Sequence, residues 1–179
     1  MKTFSTDGIV LKRFNAGEAD RILTVFTRDL GKIACIAKGV RKTTSTKRSA
    51  LEPGSLAKIF CAETHGMPIL TQATLVDDFS RSRETLAATR SLSQVLEIVD
   101  AVTVEGEGQE GIFDLVLATL HELSAEGAQR RKVLQYLQTM LEELGFQSLD
   151  TTRFSSISEY VEFLSDKKMR SFAYLTVKR

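Results

Sequence analysis

Three local patterns in the 179-residue sequence carry residue types that could do chemistry, and two of them fail on the residues they lack. Gly106, Gly108 and Gly111 spell G-x-G-x-x-G, which cradles a dinucleotide pyrophosphate when it follows a strand and opens a helix. Here it follows a helical stretch, and Glu105, Glu107 and Glu110 set carboxylates where a pyrophosphate needs bare amides. It reads instead as a flexible connection between helices. His121 and Glu122 begin H-E-x-x-H, but the closing position is Ala125, which removes one zinc ligand. There is no G-x-x-x-x-G-K-[ST] and no G-x-S-x-G, and His65 and His121 are the only imidazoles. No catalytic residue, cofactor or metal is expected.

The third pattern is Lys38–Arg48, K-G-V-R-K-T-T-S-T-K-R. It carries five cations (Lys38, Arg41, Lys42, Lys47 and Arg48), and no acid occurs from Lys32 through Leu51. A merely soluble surface mixes charge signs. Cations that displace condensed counterions, hydroxyls that donate neutral hydrogen bonds and a glycine that permits close backbone approach together suit a nucleic-acid backbone. Lys12, Arg13 and Arg21, at the ends of the first two strand candidates, extend the cationic set. Phe14 and Phe60 would stack on unpaired bases if they faced solvent, but an aromatic on a strand more often packs inward.

The elements that must position these residues change character partway along the chain. Up to Val76 the apolar runs are short, rich in β-branched and aromatic residues, and punctuated by Gly, Asn, Asp or Pro. Gly8–Phe14, Arg21–Thr27, Lys32–Ala37, Gly54–Ala62 and Ile69–Val76 are five strand candidates, with Asp29, Leu30 and Gly31 suited to a tight hairpin. His65, Gly66, Met67 and Pro68 make the turn between the fourth and fifth. An antiparallel meander that closes into a small barrel would leave no exposed edge.

From Ser82 onward the spacing is helical. Leu92, Val95, Leu96, Val99 and Val102 form one stripe, Ile112, Val116, Leu120 and Leu123 a second, and Leu134, Leu137, Leu141 and Leu144 a third. Gly145 reads as a helix stop, and Ser156 with Glu159 as a capping box before a shorter helix through Leu164. Met169–Arg179 fits either a helix or a strand.

Charge divides at the same place. Residues 1–76 hold twelve Lys plus Arg against six Asp plus Glu, whereas residues 77–179 hold twelve against seventeen. A polyanion-binding module joined to a differently tasked acidic domain would show this asymmetry, and so would two halves that attract each other. Cys35 and Cys61 have no metal-ligand or disulfide spacing and are expected as reduced, buried thiols. No apolar run approaches the ~20 residues that span a bilayer. Asp7 and Gly8 fall where a secretory leader would carry its apolar block, so a cytoplasmic protein is expected.

The stretch G-I-V-L-K-R-F-N-A-G-E-A-D-R-I-L-T-V-F-T-R-D-L-G-K-I-A-C-I-A-K-G-V-R-K from Gly8 to Lys42, with A-L-E-P-G-S-L at Ala50–Leu56 and T-Q-A-T-L-V-D-D-F at Thr71–Phe79, resembles the RecO family of bacterial recombination mediators. R-R-K-V-L-Q-Y-L-Q-T-M-L-E-E-L-G-F, Arg130–Phe146, is similar to that family's helix ending in a Leu-Gly-aromatic step. The resemblance implies an α+β protein: a five-stranded antiparallel OB-fold barrel over residues 1–79 and an all-α helical domain over residues 80–179. It also implies binding of single- and double-stranded DNA, annealing of complementary strands, and loading of RecA together with RecR and the single-strand-binding protein SSB. The implied DNA contacts fall on Lys38, Arg41 and Lys42. SSB ends in an acidic, Phe-terminated tail, for which Arg130 and Arg131 beside Leu134 are the candidate site, a cation next to an apolar surface.

Many relatives carry a four-Cys zinc insertion after the Leu-Gly-aromatic step. No Cys follows Phe146 here, so no zinc is expected. The chain is also short for the family, ending soon after Tyr174, and part of the usual C-terminal helical surface is expected to be missing. Two rivals remain at this level: an OB-fold adaptor for protein partners with incidental DNA binding, and an enzyme hidden in the helical half.

Overall fold

The computed structural model describes residues 2–43 and 45–171. Five strands close into a barrel: β1 (Thr3–Ala16), β2 (Asp20–Thr27), β3 (Gly31–Ala37), β4 (Leu56–Ala62) and β5 (Ile69–Asp77), in the order β1-β2-β3-β5-β4 with β4 returning to β1. This is the OB-fold arrangement. β1 is long enough to serve two neighbours. Its first half pairs with β4 and its second with β2, and the register slips between Val10 and Lys12, where an extra residue bends the strand.

One expectation needs correction: the barrel is mixed rather than strictly antiparallel. β3 and β5 run parallel, with Ile36 beside Ile69 and Ala37 beside Leu70. The reason is arithmetic. An odd number of strands cannot alternate direction all the way round a closed ring, so at least one neighbouring pair must be parallel.

Alternation sends Val10, Leu23, Val25, Cys35, Ala37, Ala57, Ile59, Cys61 and Leu70 inward, and all are buried. A short 3-10 turn at Ser49–Leu51 contributes Ala50 and Leu51 to the same core. The two thiols are free and buried, as expected, and they hydrogen-bond to each other; that bond and burial push Cys35 far above the ordinary thiol range.

The second compact unit spans residues 79–103 and 111–171 of the described chain. It contains α1 (Leu86–Val102), α2 (Glu110–Ser124, of which Glu110 falls in the first unit), α3 (Arg130–Glu143) and α4 (Ile157–Ser165). The first two stripes are buried throughout. The third is rotated: α3 buries Val133, Leu137, Met140 and Leu141, leaving Leu134 38% exposed.

Gly145 stops α3 at φ 86°; its N–H donates to Glu142 O, and the Phe146 N–H donates to Leu141 O. Ser156 caps α4 by accepting from the Glu159 N–H, while the Glu159 carboxylate reaches back to Ser155 rather than Ser156. The chain is helical again at residues 170–171; the rest of the ambiguous end, with Tyr174, lies outside the described residues. Among the described residues no helix is long and apolar enough to cross a membrane.

The glycine-rich segment is not a flexible connection. Residues 104–110 belong to the barrel unit and lie as a strap against the β2–β3 hairpin, with Glu105 bridging Gly31 and Lys32 and the Gly106 N–H donating to Lys32 O. Glycine is required on both sides of the contact. A Cβ on Gly31 would sit 2.1 Å from Glu107 O, and one on Gly108 would sit 2.2 Å from Asp29 O.

Candidate nucleic-acid interface

The Lys38–Arg48 loop leaves β3 at one end of the barrel and is held there by backbone and side-chain hydrogen bonds. Val40 is fully buried and plugs into the core. Gly39, at φ 65°, donates its N–H to Asp20 Oδ1 at 2.7 Å, and the Arg41 N–H donates to Ala19 O at 2.9 Å. Arg41 Nη1 donates to Gly17 O at 3.0 Å, so the loop is fastened to the β1–β2 turn. Its far end is fastened too: Lys47 Nζ donates to Thr71 O at 3.2 Å, where Thr71 Oγ1 donates to Phe60 O.

These bonds hold the backbone and leave the charges unneutralised. Lys38, Lys42 and Arg48 are exposed, Arg41 and Lys47 half-buried, and none of the five is ion-paired to a carboxylate among the described residues. Lys12 lies on the outer face of β1, its Nζ 5.9 Å from the centre of the Phe14 ring.

Arg13 and Arg21 do not join this set. Both reach Glu52, which follows the 3-10 turn: Arg13 Nη1 bonds Glu52 Oε1, and Arg21 Nη1 lies 3.4 Å from the same oxygen. Arg21 is 6% exposed, and its pKa is lowered by burial first and by Arg13 next, with Glu52 opposing. Its register explains this. Arg21 pairs with Ala37, and Leu23 with Arg13 and Cys35, so both arginines fall on the inward phase of their strands at the barrel mouth. Sequence reading missed Glu52, since nothing local marks it as the partner of residues more than thirty positions earlier.

Phe14 and Phe60, by contrast, face outward. They are 54% and 37% exposed, because each stands one residue out of phase with the buried positions of its strand. The barrel is also electrically polarised. The strap delivers Glu105 and Glu107 to the β2–β3 turn, while the cationic loop leaves the opposite end of β3. Seven residues of strand separate the ends, about 20 Å, which is twice the Debye length near 0.1 M salt. The strap therefore cannot quench the loop.

On α3, Arg130, Arg131 and Leu134 are all exposed, and Leu134 lies four residues after Arg130 and three after Arg131, within side-chain reach of both. The two arginines occupy the positive end of the helix dipole, an unfavourable place for cations. Glu122 offsets part of this, accepting from the Gln129 N–H at 2.9 Å and lying 3.6 Å from Lys132 Nζ. Of the failed motifs, His121 meets Phe79 edge-on at 5.1 Å. No three His, Cys, Asp or Glu side chains converge among the described residues, so the donor set does not fit a zinc site.

Two family models match the chain in tandem, "Recombination protein O N terminal" over residues 1–79 and "Recombination protein O C terminal" over residues 83–150. The chain belongs to the RecO family. It is 36% identical over 129 residues to the DNA repair protein RecO of Pelotomaculum thermopropionicum, covering 72% of this chain and 50% of that protein. It is 32% identical over 146 residues to the RecO of Heliobacterium modesticaldum (82% and 53%), and 29% identical over 157 residues to that of Salinibacter ruber (86% and 60%). The chain thus spans about half the length of the curated relatives it matches. The first model ends at Phe79, beside the boundary between the barrel unit and the helical unit, and the cationic loop falls wholly inside it.

Proposed function

We propose that this RecO-family chain acts in DNA repair and homologous recombination by holding the DNA backbone on the Lys38–Arg48 loop. The observation that carries the reading is the state of that loop: backbone and side-chain hydrogen bonds fix it to the β1–β2 turn and β5, and its cations lack carboxylate partners among the described residues. A backbone prepaid in entropy with unspent charge suits phosphates on single or double strands and gives little sequence preference. Neutralising two strands at once lowers their mutual repulsion, and this is how the chain would anneal complementary strands without a chemical step.

The contacting set is Lys38, Arg41, Lys42, Lys47 and Arg48, with Lys12 beside it. Arg13 and Arg21 hold the barrel mouth instead. The exposed Arg130, Arg131 and Leu134 face of α3 is the proposed contact for the SSB tail. RecR and RecA complete the partner set by family membership, with action at the nucleoid.

The test is a salt titration with labelled single-stranded and duplex oligonucleotides. With five contacts, log affinity falls against log salt with a slope of roughly −3.5 to −4.5. Replacing Lys38, Arg41 and Lys42 with Glu weakens binding to any sequence and flattens the slope by about one unit per lost contact. Unchanged binding removes the loop from the site, and a nearly flat salt dependence in the unsubstituted chain favours a protein-binding adaptor.

A further inference from the structure

One acid stands at the foot of the cationic loop, and its carboxylate goes to the backbone rather than to a cation. Asp20 opens β2 and faces Ala16 across the β1–β2 turn. The pairing of Arg21 with Ala37, continued one step past the strand end, sets Asp20 opposite Lys38. A carboxylate in that place has a lysine to pair with. Asp20 nonetheless forms no ion pair among the described residues, and its Oδ1 accepts the Gly39 N–H at 2.7 Å.

That bond begins the first turn of the loop. Gly39 takes the left-handed φ of 65°, and the Lys42 N–H donates to Gly39 O at 3.1 Å to close the turn. Lys38, Arg41 and Lys42 are gathered within it over a buried Val40. Like charges this close repel, so the turn needs bonds that hold it shut. Arg41 supplies two, its N–H to Ala19 O and its Nη1 to Gly17 O. The Asp20 bond is the one with a charged acceptor, which is the stronger kind, and a substitution removes it without touching a cation.

We propose that Asp20 is a positioning residue for DNA binding: its carboxylate holds the Gly39 amide so that Lys38, Arg41 and Lys42 meet the phosphate backbone together. The inference rests on the DNA-binding role proposed for the loop. Simple electrostatics gives the opposite sign. An acid about one Debye length from a phosphate weakens binding by roughly 2-fold, so removing an acid that only repels tightens binding. Removing a positioning acid weakens binding, because the DNA must then order a turn that the bond had ordered in advance. A hydrogen bond to a charged group shifts a local equilibrium by about 10-fold or more, and positioning therefore outweighs repulsion.

The experiment compares Asp20→Ala and Asp20→Asn with the unsubstituted chain by fluorescence anisotropy, using a labelled oligothymidine and a labelled duplex. Asp20→Asn keeps an oxygen for the Gly39 N–H and loses the charge. Because the two Arg41 bonds remain, Asp20→Ala weakens binding to both DNAs by about 10-fold, and the salt slope stays as it was since no phosphate contact is lost. Asp20→Asn stays within about 3-fold of the unsubstituted chain. Hydrogen exchange reports the cause: the Gly39 amide loses protection in Asp20→Ala and keeps it in Asp20→Asn, while the β2 and β3 amides stay protected in both and show the barrel intact. Unchanged or tighter binding by Asp20→Ala, or equal weakening by the two variants, overturns the positioning role and leaves the loop standing. Unchanged binding after Lys38, Arg41 and Lys42 are replaced with Glu overturns both.

Discussion

Glu52→Gln tests whether the barrel mouth is an internal ion cluster or part of the DNA surface. The substitution keeps shape and hydrogen-bonding capacity but leaves Arg13 and Arg21 without their shared carboxylate. Removing one partner of a fully buried pair costs about 3–5 kcal/mol, because the remaining charge stays desolvated. Arg21 meets that condition, with a side chain 7% exposed, but Glu52 is 36% exposed and water screens part of the pair. A loss of about 2 kcal/mol is therefore expected, a fall of roughly 8–16 °C in the melting temperature of a domain this size.

The pair should also show strong coupling. Arg21→Met puts an apolar side chain of similar length into the same buried place, so it restores much of what Glu52→Gln loses, and the double variant is more stable than Glu52→Gln alone. Far-UV circular dichroism in urea measures all four corners of the cycle. Arg21→Met leaves the salt slope for DNA binding unchanged. A slope lowered by about one unit, or a Glu52→Gln variant as stable as the unsubstituted chain, would refute the assignment of Arg21 to the barrel mouth.

Two further outcomes follow from the packing. Gly31→Ala and Gly108→Ala each unseat the strap by driving a methyl group into a backbone carbonyl, and Gly31 adds the cost of a positive φ; both cost more than Gly17→Ala, whose φ is also positive but whose surroundings are empty, and which costs about 1 kcal/mol. Urea midpoints for the three variants check the order, and equal losses would show that the strap contact contributes nothing. Cys35 and Cys61 resist a maleimide in the folded chain because both are fully buried in the barrel core; labelling appears only as urea unfolds the barrel. Rapid labelling of the native chain would contradict their placement.

Phe14 and Phe60 show where local pattern stops being informative. Their strands were legible, yet which face met solvent depended on a bulge between Val10 and Lys12 in β1 and on how β4 and β5 paired, neither of which a single strand records. Arg21 shows the same limit from the other side. Its charge suggested phosphate, but its inward phase and a carboxylate thirty-one positions away decided otherwise. The G-x-G-x-x-G segment reads locally as a connection between helices, while its packing on the hairpin became visible only when residues 104–110 met Asp29 and Gly31 across the fold.

The chain's order alone determined the alternation of period 2 in the first half and period 3.6 in the second, the glycine stops, the serine cap of α4 and the acid-free loop. Each of these is set by residues within a few positions of one another, whose φ, ψ and burial preferences act before any distant contact forms. Tertiary structure decided the parallel closure of β3 on β5, the pairing of Arg13 and Arg21 with one shared Glu52, the rotation of the α3 stripe and the separation of the acidic strap from the cationic loop. Those depend on which residues far apart in the chain become neighbours, and charge and burial are properties of neighbourhoods rather than of residues.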